Sequence, residues 1–317
     1  MLVEHDASGL TETSQETLTF ARDLAQDVAG LVVGELGPEL VALLGTHGVT
    51  TVWNATGEAF DAYAAAAWAA AIEAATSDVA VVMAAGTPRG NEVMAHVAAR
   101  RGVVMAANVV TIDGVSPLLV SRQVLGGAAL EEMRLDEALG VFTVAGHACE
   151  PLPAQGATTP VVRPVEVSVS AEDLRARVVR SEAGEADESG NLISARVVIG
   201  AGRGAGSADG FKDLVELTEL LGGSLGVSRV VTSLGWRPHH EQVGQTGSRI
   251  SPDLYIACGI SGAIQHWAGC SGAKTIVAIN TDPDAPMVTK AHYAVIGDLH
   301  EVVPAINEEL RNRRRAS

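Results

Sequence analysis

The chain has 317 residues, of which 47% are hydrophobic and 19% are charged. This balance is typical of a folded globular protein, and the length favours two domains over a single hydrophobic core. The 38 acidic and 22 basic residues give a net charge of −16. Basic residues cluster only in the short tail from Arg311 to Arg315, so we expect no nucleic acid partner.

The spacing of the cysteines and histidines indicates neither a disulfide-linked fold nor a metal site. Cys149, Cys258 and Cys270 are odd in number and lack C-x-x-C spacing, which indicates neither a disulfide framework nor a zinc site. The His239-His240 pair and His147 also lack metal-ligand spacing, and we interpret them as solvated loop residues. The first residues resemble no secretory signal, and no apolar stretch reaches ~18 residues. We therefore predict a cytoplasmic protein without a membrane span or a metal.

The first half alternates short β-branched runs with Ala-rich helical segments, the pattern of a βαβ sheet. Helices are expected at 14–24, at 58–75 and after the turn at 86–90. Strands are expected at 29–33, 79–83 and 103–110. Segments 116–124, 140–144 and 161–169 also read as extended, and we expect them to form antiparallel additions to this domain.

A polar stretch at 182–191, EAGEADESGN, is the best linker candidate. We predict a first domain at 1–184, a linker at 185–194 and a second domain at 195–317. In the second domain we expect helices at 210–221 and 298–310 and five strands, at 195–199, near Leu225, and at 254–258, 275–279 and 293–296. The predicted fold class is α/β, with two Rossmann-like domains that each contain a mainly parallel open sheet flanked by helices.

Ligands of such sheets bind at the loops that leave the carboxyl ends of the strands. The loop GAGRGA at 200–205 follows a strand and precedes a helix, as a dinucleotide-binding turn does, but the segment GVSRVVTS at 226–233 supplies no acidic residue for a ribose. The sequence leaves open a glycine-rich turn without a nucleotide. The polar loop from Gln242 to Gly247 is likewise either a heterocycle contact or a surface turn.

The strand at 254–258 runs directly into GISGAIQH at 259–266. Its glycines allow close approach of the backbone to a ligand, and free N–H groups at a helix start favour a phosphate. Ser261 and Gln265 are four residues apart and are predicted to share a helical face. His266 alone is more often structural than functional. Asn280 and Asp282 follow the next strand, and Asp298 is either a ligand contact or a helix N-cap.

Taken in order, these segments resemble one family, the alpha subunits of electron-transfer flavoproteins. The centre of the match is LYIACGISGAIQHWAGCSGAKTIVAIN at 254–280, preceded by SRVV at 228–231 and VGQTG at 243–247. INTDPDAP and VIGDLHEVVP continue it, so that it covers roughly 195–304. The N-terminal half is similar more loosely, through LTETSQETLTFARDLA and SRQVLGGAALEEMR.

The resemblance implies a redox carrier rather than a substrate-converting enzyme. It implies FAD in the C-terminal domain and a heterodimer with a beta subunit, which docks on the N-terminal domain. Electrons would arrive from flavoprotein dehydrogenases, as in fatty acid oxidation, pass through an anionic semiquinone, and leave to a quinone oxidoreductase or similar acceptor of the respiratory chain. The alternative is a nucleotide-dependent oxidoreductase that uses the same doubly wound domain.

The resemblance also implies roles for particular residues. Arg229 matches an arginine that lies against the flavin ring, Thr246 a threonine that bonds N5, and His266 a histidine near O2, where an imidazolium or a guanidinium would stabilise negative charge. The implied cofactor-binding residues are Ser228, Arg229, Gln242, Val243, Gly244, Gln245, Thr246, Gly259, Ile260, Ser261, Gly262, Ala263, Ile264, Gln265, His266, Asn280 and Asp298. No catalytic residue is implied. Thr281 departs from the family, which often has a basic residue there, and this would weaken FAD binding unless helix N-termini and Arg229 compensate.

Overall fold

A computed structural model describes residues 1–6, 9–76, 78–115, 117–127, 129–180 and 192–316. Contacts between Cα atoms divide the chain into a first unit, Met1–Val124 with Leu130–Ala183, and a second unit, Leu125–Ala129 with Gly184–Ser317. Both units contain mostly parallel sheets flanked by helices, which confirms the predicted fold class. The predicted linker stretch at 182–191 lies outside the described residues.

The first unit begins with a small antiparallel pair and continues as an α/β series. Its helices are α1 (Glu12–Leu24), α2 (Pro38–Thr46), α3 (Ala65–Ala75) and α4 (Pro88–Arg101). Its strands are β1 (His5–Asp6), β2 (Gly9–Leu10), β3 (Val28–Val33), β4 (Val49–Ala55), β5 (Val81–Ala85), β6 (Met105–Val115), β7 (Leu118–Val124), β8 (Ala129–Leu135), β9 (Gly140–Val144) and β10 (Val161–Pro164).

Two sheets of the first unit meet at the amino terminus. One has the order β10-β4-β3 and the other the order β5-β9-β6-β7-β8. The N–H of Val3 donates to the carbonyl of Leu31 on β3 at 2.9 Å, and the N–H of Leu2 donates to Met83 on β5 at 2.9 Å. The first three residues therefore connect the edges of the two sheets.

Three expectations for the first unit were wrong. The helix predicted at 58–75 begins only at Ala65, because Ala64 is extended and only a short 3₁₀ turn lies before it. β9 pairs parallel with β5 and β6, and β10 pairs parallel with β4, so that they are not antiparallel additions. Every residue of β9 is buried, as is typical of a parallel strand covered on both faces. β7 does pair antiparallel with β6, as expected.

His147 is not a solvated loop residue, which corrects the third expectation. Its side chain is 2% exposed. Its backbone N–H and its Nδ1 lie 2.9 and 3.0 Å from the two carboxylate oxygens of Glu16, on the buried face of α1. Because spacing along the chain does not reveal a partner 131 residues away, this pair could not be predicted from the sequence.

The second unit is an open sheet with every strand parallel. Its strands are β11 (Val197–Ala201), β12 (Ser224–Val227), β13 (Leu254–Cys258), β14 (Thr275–Asn280) and β15 (Tyr293–Ile296), in the order β12-β11-β13-β14-β15. Its helices are α5 (Lys212–Leu221), α6 (Arg229–Ser233), α7 (Ile264–Cys270), α8 (Pro286–Lys290) and α9 (Leu299–Ala316). The five predicted strands are confirmed to within about two residues.

The strand order of the second unit reverses between β11 and β13. Helices α5 and α9 pack on one face of the sheet, around Leu214, Leu217 and Val303. On the other face, Cys270 of α7 and Met287 of α8 belong to a second apolar cluster. Loops that leave β11 and β13 therefore diverge at the carboxyl edge, which opens a crevice where such sheets bind ligands. Among the described residues no helix combines the length and apolar character needed to cross a membrane.

Candidate functional site

A cavity of about 660 Å³ lies at the carboxyl edge of the second sheet, within the size range of small-molecule sites. It collects every residue of the predicted set except Ile264, which is 77% exposed and does not line it. The cavity has ten further lining residues outside the predicted set: Arg203, Gly204, Val230, Ile279, Thr281, Asp282, Ala285, Gly297, Leu299 and His300. Of these, the sequence had pointed to Asp282 after its strand and to the loop of Arg203 and Gly204, and it missed the others.

Two glycine loops form the floor of this cavity by packing backbone against backbone. Gly259, just after β13, has φ +61°, and a Cβ there would lie 2.7 Å from the Cα of Gly204. The N–H of Gly204 donates to the carbonyl of Gly259 at 3.1 Å. Gly202 and Gly204 of the GAGRGA turn are therefore required for contact with the next loop, a reason that the nucleotide motif alone did not reveal.

Two consecutive hydrogen bonds between side chains hold the polar loop after residue 241. The hydroxyl of Thr232 on α6 lies 2.8 Å from Oε1 of Gln242, whose Nε2 lies 3.0 Å from Oγ1 of Thr246. Gln242 is 2% exposed, so its amide has little freedom. Because Thr246 accepts from Gln242, its own proton is free to be donated to an acceptor in the cavity.

Arg229 and Ser228 stand at the start of α6, directly after β12. Ser228 is the N-cap residue, and its hydroxyl is buried without a hydrogen-bond partner among the described residues. The side chains of Arg229 and Arg203 are exposed at the cavity, and within the described ranges neither forms an ion pair with a carboxylate. The cavity therefore offers two unneutralised guanidinium groups and an unsatisfied hydroxyl. Arg203 supplies positive charge that Thr281 lacks.

His266 lies in the cavity wall, on α7, and bonds to a buried tyrosine behind it. Its Nε2 is 2.8 Å from the hydroxyl of Tyr255, and the two rings are stacked at 6.2 Å. Burial lowers the pKa of His266 to about 4, with the backbone of Val243 opposing the shift. In the unliganded chain at neutral pH His266 is therefore a neutral imidazole, not an imidazolium.

Asn280 and Asp298 shape the far side of the cavity. The Nδ2 of Asn280 donates to the carbonyl of Ile260 at 3.0 Å, and its Oδ1 accepts from the N–H of Asp282 at 3.1 Å. Asp298 precedes α9 and accepts from the N–H of His300 at 2.9 Å, as an N-cap does. Asp298 was predicted as either a helix N-cap or a ligand contact. It caps α9 and also lines the cavity, so the two roles are compatible.

Ser261 and Gln265 do not share a helical face, contrary to expectation. Helix α7 begins at Ile264, with Ala263 as its N-cap, and Ser261 lies in the turn before it. Gly262, with φ +81°, ends the extended segment and keeps Ser261 out of the helix. Ser261 and Gln265 still reach the same cavity, through the turn rather than through helical spacing.

The fold and the site together define a class of protein. A doubly wound sheet with a large cavity at its point of reversal, lined by glycine loops, amides and arginines, is suited to an extended anionic cofactor with a heterocyclic head.

Comparison with known proteins identifies the family. Residues 1–170 match the model of the electron transfer flavoprotein domain, and residues 191–271 match that of the electron transfer flavoprotein FAD-binding domain. The electron transfer flavoprotein subunit alpha of Mycobacterium leprae (strain TN) is 38% identical over 319 residues, which cover 99% of this chain and 98% of the relative. That of Bacillus subtilis (strain 168) is 32% identical over 310 residues, covering 95% and 94%. The chain belongs to the electron transfer flavoprotein alpha subunit family.

Proposed function

We propose that this chain binds FAD in the cavity of its second unit and acts as an electron carrier, as the alpha subunit of a heterodimer with a beta subunit. The observation that supports this most strongly is the convergence of the strand-end loops of residues 228–300 on one cavity. Its donors would be flavoprotein dehydrogenases, its acceptor a quinone oxidoreductase or similar protein, and its compartment the cytoplasm.

The described residues fit FAD on three counts. The buried hydroxyl of Ser228 lacks a partner that a ligand oxygen would supply. The close contact of Gly204 and Gly259 leaves a floor without side chains, against which a diphosphate chain can lie. Arg203 and Arg229 supply charge for an anionic ligand. Ser228, the two arginines and the amides of Gln245 and Gln265 are therefore the residues that we assign to holding it.

FAD, when bound, supplies the redox chemistry, and the protein supplies orientation and electrostatics. Thr246 would donate its hydroxyl proton to an acceptor on the heterocycle, because its oxygen already accepts a hydrogen bond from Nε2 of Gln242. Arg229 would carry the positive charge beside the ring system. His266, which is neutral, would contribute a hydrogen bond rather than a charge. The charge of the site therefore rests on arginine, whose charge is the same at every physiological pH.

The proposal is tested by expressing the full chain with the proposed beta subunit and extracting the bound cofactor. We expect FAD in about a one-to-one ratio with the chain, rather than FMN or NAD. As a comparison, Ser228→Ala removes the unpaired hydroxyl with only a small loss of volume, and we expect it to weaken FAD binding because that hydroxyl is assigned to the ligand. A chain that purifies without flavin and does not bind added FAD contradicts the proposal, and substrate turnover without a second protein would favour the oxidoreductase alternative.

A further inference from the structure

Tyr255 lies behind the cavity wall and does not line the cavity. It is on β13, is fully buried, and packs within an apolar cluster that includes Val198, Val243 and Ile276. Space for its ring comes from Gly200 on the neighbouring strand, where a Cβ would lie 2.2 Å from the tyrosine hydroxyl. The sheet has therefore a specific opening for this side chain, although a phenylalanine would suit the apolar surroundings better.

Within the described residues, the hydroxyl of Tyr255 has one hydrogen-bond partner, Nε2 of His266 at 2.8 Å. Burial raises the pKa of Tyr255 well above its ordinary value, so the hydroxyl keeps its proton. A buried hydroxyl proton needs an acceptor, and the lone pair of Nε2 in a neutral imidazole provides one. If Nε2 carried the ring proton instead, the tyrosine proton would be left unsatisfied in an apolar cluster.

We propose that Tyr255 is a positioning residue: its hydroxyl donates to Nε2 of His266, holds the ring in the cavity wall and fixes the tautomer with the proton on Nδ1. Nδ1 is buried and makes no hydrogen bond within the described residues, although the backbone of Val243 opposes the lowering of the pKa of this ring. Any hydrogen bond from the ring to a ligand acceptor must then come from Nδ1. This last consequence depends on the proposed function, whereas the tautomer itself does not.

The test uses the full-length chain with ¹⁵N-labelled histidine and long-range ¹⁵N–¹H correlation spectra at neutral pH, with the His266 signals assigned by their loss in His266→Gln. In the wild type we expect an unprotonated Nε2 and a protonated Nδ1. In Tyr255→Phe we expect mixed tautomers at His266 alone. Tyr293→Phe, which removes an exposed hydroxyl from the same sheet, is the matched control and should leave the signals unchanged.

A protonated Nε2 or an imidazolium in the wild type overturns the proposal even if Tyr255→Phe fails to fold. Unchanged His266 signals in a folded Tyr255→Phe overturn it as well. In a parallel fluorescence titration we expect this variant to bind FAD about two- to tenfold more weakly than Tyr293→Phe. If the wild type has the expected tautomer but binds no FAD, the function proposed above fails while the positioning role stands.

Discussion

At the scale of single residues, the charge of the site is carried by arginine side chains that no carboxylate neutralises within the described ranges. Arg229 is exposed in the unliganded chain, so that its charge is screened until a ligand covers it. Two unit charges 4 Å apart interact by about 1 kcal/mol in water and about 4 kcal/mol at an effective dielectric of about 20. A cofactor that covers Arg229 would move this interaction toward the larger value.

We expect Arg229→Ala to lower the midpoint potential of the bound flavin, because reduction adds negative charge near the guanidinium. Arg229→Lys should fall between the two, since it keeps the charge but loses the planar surface. Arg249→Ala is the matched control, because this arginine is exposed on the next loop but does not line the cavity. Spectroelectrochemical titration measures the effect. Equal potentials in Arg229→Ala and Arg249→Ala would show that Arg229 is not beside the ring.

His266 makes the stability of the second unit depend on pH. Its pKa in the folded chain is about 4 against an ordinary value of 6.5, so that the unfolded chain binds a proton in this window and the folded chain does not. The free energy of unfolding should fall by up to roughly 3 kcal/mol as the pH falls from about 6.5 to 4. His266→Gln should lose this part of the acid sensitivity, whereas His300→Gln, at an exposed position, should keep it. Urea unfolding at several pH values measures the difference, and parallel curves for His266→Gln and the wild type would contradict it.

The sequence placed Asn280 and Asp298 at the candidate site because one ends a strand and the other follows one, and a parallel sheet brings such positions together. Ser228 and Thr246 were predicted from the resemblance, and the structure places both at the same cavity. The loop that carries Arg203 was considered as a nucleotide-binding turn, but the sequence left that interpretation open. The sequence did not reveal Tyr255 as a partner of His266, because this bond joins a buried strand to the helix that follows it. The apolar pattern of a short strand predicts which residues are buried, but it does not predict that the hydroxyl of Tyr255 contacts the ring of His266.

At the scale of elements, the same limit explains which parts of the fold were predicted. The strands of the second unit were predicted because each is a short apolar run between turn residues. The direction of β9 was predicted wrongly, because an all-buried strand reads alike in parallel and antiparallel pairs. Residues 38–46 and 49–55 were not predicted as α2 and β4, since the short polar connection between them resembles a loop.

Gly200 on β11 has no side chain, which leaves space for the ring of Tyr255 on the paired strand β13. We expect Gly200→Ala to destabilise the second unit by about 1–3 kcal/mol, as overpacking of a core does. Gly156→Ala is the control, because nothing lies within 4 Å of a Cβ at that exposed position. Thermal unfolding measures both. If Gly200→Ala unfolds at the wild-type temperature, the ring of Tyr255 can move to make room for a methyl group, and a glycine is not required at this position.

At the scale of the whole molecule, the division into two units makes the placement of the cofactor testable without a variant. A ligand that contacts only one unit stabilises that unit and slows local opening there, whereas the other unit keeps its own equilibrium. We therefore expect removal of FAD to increase amide hydrogen exchange in the segments around the cavity, at 200–206, 226–233, 242–248, 258–266 and 280–300. Peptides from 9–76 should exchange at the same rate with and without FAD. Hydrogen exchange followed by mass spectrometry measures these rates. If the change were concentrated in 9–76, the first unit would hold the cofactor, and the cavity of the second unit would bind another ligand.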